Sequence, residues 1–144
     1  MKLTSPDFKH QEFISKTFTC LGKDINPALE IHDIPANAQS LALIVDDPDA
    51  PGKTWVHWVV TDIPVVPRIE KDSVPGVQGY NDFGRQDWGG PCPPSGVHRY
   101  FFKLYALDVK LNLPPGRTKA QVEQAMQGRI LAQSELIGLF TKKG

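Results

Sequence analysis

Thirteen prolines and twelve glycines, spread along 144 residues, hold this chain to short pieces of regular structure. Each proline removes a backbone donor and each glycine loosens the chain, which argues against a helical bundle. The stretches between the breaks are rich in β-branched and aromatic residues. LALIV (41–45), WVHWVVTDI (55–63) and HRYFFKLYALDV (98–109) read as strands. LALIV is apolar throughout, so burial on both faces is expected. FTCLG (18–22) and PALEI (27–31) are weaker strand candidates. One helix is predicted: beyond Pro114, Pro115 and Gly116, Thr118 can cap TKAQVEQAMQGRI, with Val122, Ala125, Met126 and Ile130 at helical spacing. ELIGLFTKK (135–143) then reads as a last strand, and the basic TKKG end as a solvated tail. The expected class is mainly β with a peripheral C-terminal helix.

The length suits one domain over residues 1–144, large enough to bury a real core. Sixteen basic and sixteen acidic residues cancel, so no global basic field attracts nucleic acid or an anionic membrane; anion recognition has to be local. No stretch approaches the roughly 20 apolar residues of a membrane span. The opening MKLTSPDFKHQEF lacks the apolar centre of a secretion signal. Cys20 and Cys92 are too few for a disulfide framework and lack metal-ligand spacing. A cytoplasmic protein with reduced thiols is the expectation, and a single bond between the two cysteines stays open.

Two segments hold the chemistry. In DDPDAPGKTWVHWVV (46–60) three acids and two prolines follow the LALIV strand, and a histidine sits among tryptophans. Strand alternation puts Trp55, His57 and Val59 on one face and Val56, Trp58 and Val60 on the other. In the later strand His98, Tyr100, Phe102 and Leu104 share a face opposite Arg99, Phe101 and Lys103. Antiparallel pairing of 41–45 with 55–63 brings Asp47 near His57. GGPCPPSGVHRY (89–100) adds glycines that admit close backbone approach and prolines that stiffen a rim. Between them, residues 64–97 form a long connection holding six prolines and six glycines. Its aromatics Tyr80, Phe83 and Trp88 indicate a packed, functional loop rather than a disordered one.

DPDAP followed by a Trp-x-His strand, then GPCPPSGVHRY and its aromatic strand, resembles the phosphatidylethanolamine-binding protein family over essentially the whole chain. The GPCPP form is similar to its bacterial and archaeal, Raf-kinase-inhibitor-like branch. The resemblance implies an antiparallel β-sandwich with a small pocket for phosphate groups and similar anions. Carried over, the motifs make Asp47, Trp55, His57, Gly90, His98 and Tyr100 ligand-binding residues, with Pro51 and Pro91 on the rim. Animal relatives have a second histidine where this chain has Val56, which alternation turns away from the pocket. The resemblance further implies a phosphate-containing small molecule or a phosphorylated protein as partner, no cofactor, and a homodimer.

Other readings of the same residues stand beside this one. Asp46 and Asp49 read as turn chemistry, Trp58 and Phe101 as core, and His10 and His32 as surface residues. Asp47, His57 and His98 would make three ligands of an open metal site. A His–Asp pair also offers a general base, with Ser95 the only nearby serine. The favoured function is non-catalytic binding or regulation through an anion pocket, including modulation of a kinase. The alternative is a His/Asp-based or metal-assisted hydrolase using the same pocket.

Overall fold

A computed structural model describes residues 1–142. It contains nine strands, β1 (Lys2–Thr4), β2 (Glu12–Phe13), β3 (Leu29–His32), β4 (Ser40–Asp47), β5 (Trp55–Ile63), β6 (Arg68–Ile69), β7 (Val77–Gln78), β8 (His98–Leu107) and β9 (Ile130–Phe140). One α-helix, α1 (Lys119–Met126), and a 3-10 turn at Lys16–Phe18 complete the set. A small sheet runs β1-β3-β6 and a large one runs β2-β9-β8-β4-β5-β7. The sheets face each other across one core: Leu3, Leu29, Ile31 and Ile69 from the small sheet meet Leu41, Leu43, Val45, Trp58, Phe102 and Leu104 from the large one. The fold is therefore a β-sandwich, largely antiparallel, with β2 added parallel to β9 at the edge.

β4 lies inside the large sheet and is buried at every residue, as an apolar strand covered on both faces must be. One cover is the small sheet. The other is α1, which rests Val122 and Met126 on Ala42, Ile44, Val56, Val59 and Leu107. Thr118 caps this helix through a reciprocal box with Gln121, satisfying donors that the first turn leaves free. Among the described residues no helix is long and apolar enough to cross a membrane.

Three expectations change. FTCLG is not a strand: it begins at the end of the 3-10 turn, which Ser15 caps through the Thr17 N–H. Ile130, expected on the helix, instead begins the last strand, since α1 ends at Met126; the strand stops at Phe140, and Lys143 of the expected 135–143 strand, with Gly144, lies outside the described residues. Cys20 and Cys92 are bonded to each other, so the reduced-thiol reading is corrected and its argument for a reducing compartment goes with it. Two lone cysteines 72 residues apart carry no local pairing signal, and only the fold brings them together.

The 64–97 connection is packed against the sandwich. Trp88 stacks on Phe102 at 5.9 Å, meets Trp58 edge-on at 5.5 Å, and donates from Nε1 to the Phe18 carbonyl at 3.3 Å. Phe102 and Trp58 belong to the main core, so one indole fixes the loop to both β5 and β8. Trp88→Ala is expected to cost about 3–5 kcal/mol, read as a lower urea midpoint with an unchanged m-value. A cost under about 1 kcal/mol would show that the loop is held elsewhere.

Candidate functional site

β4 and β5 do not pair evenly. Val45 faces Trp58 and Asp46 faces Val56, so His57 is the extra residue of a β-bulge. Bulges re-aim side chains. Here the bulge lets Trp55, His57 and Trp58 all serve the inner side of the sheet, while Val56 and Val59 pack under α1. This corrects the strict alternation expected for β5: Trp58 lies on the same side as the site and Val59 on the opposite one. Val56 does turn away, as expected.

The loop secures the bulge. The His57 ring donates from Nδ1 to the Gly89 carbonyl at 2.6 Å, and the Gly89 N–H returns a bond to the His57 carbonyl at 3.1 Å. A carbonyl only accepts, so the proton is on Nδ1 and Nε2 is left without one in the neutral ring. Buried Asn81 organises the same loop, accepting from the Phe83 and Arg85 N–H groups at 3.0 and 3.1 Å and donating to the Asp87 carbonyl at 2.7 Å. Asn81 was not singled out from the sequence; an Asn flanked by Tyr80 and Asp82 reads only as turn chemistry.

At the ends of β4 and β8, Asp47 and His98 form a buried pair, with Nδ1 2.6 Å from Oδ2. The other Asp47 oxygen accepts the Asp49 N–H at 2.7 Å. Asp47 thus hydrogen-bonds His98 rather than His57. Asp49 in turn grips β8 through the Arg99 N–H and guanidinium at 2.8–2.9 Å. Asp46 is no turn residue: it is the penultimate residue of β4 and points outward, where Oδ2 accepts from Lys119 and Lys103 at 2.8 and 3.1 Å. Phe101 also faces outward, half-buried beneath Arg99 and Lys103.

A cavity of about 280 Å³ opens between these elements, lined by Asp47, Pro51, Trp55, His57, His98 and Tyr100, and also by Ala50, Phe83, Cys92, Pro93 and Pro94. The latter five were not assigned to the site from sequence, although Phe83 and the GPCPP run had been noted as features. Trp55 and Phe83 meet edge-on at 5.5 Å, and Phe83 and Tyr100 flank the His57 ring at 5.4 and 5.2 Å. The Ala50–Pro51 bond is trans.

Two expected residues are not among those lining the cavity. The Gly90 N–H is already committed, donating to Asp24 Oδ1 at 2.8 Å, and a Cβ there would strike Asp24 and the Phe18 carbonyl. Pro91 is buried and accepts the Cys20 N–H at 3.2 Å. Both fasten the cavity wall to residues 18–24, and the Gly90 backbone also acts on the His57 ring. The three-ligand metal reading also fails: among the described residues no group of three or more His, Cys, Asp or Glu could hold a metal ion.

Burial holds the His57 pKa below its usual value, against smaller opposing effects of the Gly89 carbonyl and Asp47. Burial, reinforced by Asp47 and Asp49, raises that of Tyr100 well above the usual phenol range, with the Cys92 amide acting slightly the other way. The Tyr100 hydroxyl is buried, and among the described residues nothing, the nearby Cys92 amide included, meets it in full hydrogen-bonding geometry. At neutral pH the cavity therefore presents a neutral imidazole and a neutral phenol. Above about pH 6.5 His57 is neutral in folded and unfolded chains alike and adds no pH dependence. Below that, the unfolded chain takes up a proton the folded site resists, so stability falls with pH until the folded pKa is reached. Asp49, held low mainly by its bonds from Arg99, loses its contribution only at more acid pH. Stability should therefore drop as pH falls below about 6.5, and His57→Leu should flatten that slope in pH-resolved urea titrations; an equal slope in the variant would refute the assignment.

The chain matches a family model described as phosphatidylethanolamine-binding protein over residues 4–141. It is 47% identical to a UPF0098 protein of Methanothermobacter thermautotrophicus, covering 99% of both chains, and 49% identical to one of Aquifex aeolicus, covering 99% of this chain and 89% of the relative. Among solved structures, CT736 of Chlamydia trachomatis, a PEBP homolog, superposes with a TM-score of 0.95 at 41% identity, with 99% of this chain and 97% of that one covered. E. coli YbcL, described as a member of the mammalian PEBP family, gives 0.91 at 32% identity, with 99% and 98% covered. The motifs, the sandwich and these likenesses agree that the chain belongs to the phosphatidylethanolamine-binding protein family.

Proposed function

We propose that the cavity binds a phosphate group, carried by a small phosphorylated molecule, a phospholipid headgroup or a phosphoprotein, and that the protein acts by binding rather than by turnover. Family membership supports a binding or regulatory role in general. The observation that carries the finer reading is the buried Tyr100 hydroxyl, left without a full hydrogen bond among the described residues beside His57 and His98 on one cavity. A buried hydroxyl with no partner costs free energy that a bound oxyanion would recover.

The residues divide the work by chemistry. Tyr100 is a neutral donor for a phosphate oxygen. His98, with Nδ1 committed to Asp47, offers Nε2. Neutral His57 offers a bare Nε2, which suits a P–OH, or takes the proton itself and becomes a donor. Either way the complex holds a proton that the free site and a phosphate dianion do not. Asp47 repels the anion, so its value is in orienting His98. Among the described residues no lysine or arginine lines the cavity, so free phosphate should bind weakly, lacking the bidentate fork that strengthens such sites. Modulation of a kinase through a phosphorylated partner belongs to this proposal.

The test is a backbone and side-chain NMR titration with inorganic phosphate and O-phosphorylethanolamine. Shifts at His57, His98 and Tyr100 are expected, with affinity falling as pH rises from about 6 to 8. Tyr100→Phe should weaken binding roughly tenfold, the loss of one hydrogen bond to a charged group. Affinity that is flat in pH, or equal in Tyr100→Phe, would overturn the reading.

A further inference from the structure

The wall of the cavity nearest the 3-10 turn is fastened to the sandwich very unevenly. Up to Pro91 it is well tied: Trp88 to the Phe18 carbonyl, Gly90 to Asp24, Pro91 to the Cys20 N–H. Beyond it the backbone ties thin out. Among the described residues, no backbone–backbone hydrogen bond joins residues 92–97 to another segment, yet Cys92, Pro93 and Pro94 line the cavity. Its covalent tie before β8 begins at His98 is the disulfide to Cys20, beside the burial of Pro93. Cys20 is an exposed residue, while Cys92 is half-buried and lines the cavity.

We propose that the Cys20–Cys92 bond is a site of thiol–disulfide exchange that sets the affinity of the cavity. A dithiol reductant attacks through a thiolate at the sulfur of Cys20, the exposed residue, forming a mixed disulfide and releasing Cys92 as a thiolate. The second thiol of the reductant then attacks the mixed disulfide and frees Cys20. Two electrons and two protons pass to the protein, which gains two thiols, while the reductant leaves as its disulfide. Oxidised, the wall is pre-organised; reduced, Cys92–Val97 is released, and ordering it again costs part of the binding energy. The ties at Trp88, Gly90 and Pro91 survive reduction, so the change is local. The affinity part rests on the phosphate reading above; the change in the cavity wall does not.

The experiment uses the full chain in three forms: oxidised, reduced with dithiothreitol, and Cys20→Ser/Cys92→Ser. Each is titrated with inorganic phosphate while the His57, His98 and Tyr100 ring resonances are followed. Reduction should weaken phosphate roughly threefold or more, and the double variant should match the reduced form and ignore dithiothreitol. Equal affinity in the oxidised and reduced forms overturns the proposal. So does global unfolding on reduction, seen by circular dichroism, or two free thiols after treatment with oxidised glutathione. If phosphate binds neither form, the phosphate reading fails by itself, and the ring resonances decide: shifts on reduction confined to the cavity and residues 18–24 support the exchange site, and unchanged resonances refute it.

Discussion

Extending the sheet past Val45 makes β4 carry two buried carboxylates, Asp46 and Asp47, on opposite faces, and a buried charge must find partners. Asp47 finds the His98 ring and the Asp49 N–H, which fixes how the DPD turn leaves β4 and how β8 begins. Asp46 finds Lys103 and Lys119, which ties the start of α1 to the outer face. The site and the helix are thus positioned by two adjacent residues of one strand, Asp46 through its Oδ2 alone.

The second constraint is the bulge at His57. A regular β5 could not turn Trp55, His57 and Trp58 to one side. The extra residue leaves backbone groups of β5 that β4 does not pair, and the loop fills them: Gly89 at His57, and Asp82 at Val56, where it bonds both the N–H and the carbonyl. The long connection is therefore structural as well as functional. It is the edge that β5 needs at that point, and it carries Phe83 over the imidazole.

Much of the fold was legible because it depends on local signals. β4, β5 and β8 announce themselves by β-branched and aromatic content, and α1 by Thr118 and its periodic apolar residues. Asp47, Trp55, His57, His98 and Tyr100 were reached through motifs, and the structure gathers them around one cavity. Features decided by tertiary pairing were hidden. The bulge comes from a register mismatch with β4 that period-two alternation cannot express. Gly90 and Pro91 sit in the motif but serve Asp24 and Cys20, partners some seventy residues away that no spacing rule connects. Asp46 looked like turn chemistry because Asp-Pro runs usually are; its lysines come from β8 and from α1. The disulfide was left open for the same reason.

Anion recognition in this cavity turns on where two imidazoles carry their protons. ¹⁵N-histidine NMR of the apoprotein at pH 7, repeated with millimolar phosphate, tests it directly. Expected are a neutral His57 with its proton on Nδ1, an Nδ1–H of His98 directed to Asp47, and movement of both Nε2 signals when phosphate is added. A charged His57 in the free protein, a proton on its Nε2 instead, or Nε2 signals indifferent to phosphate would contradict it.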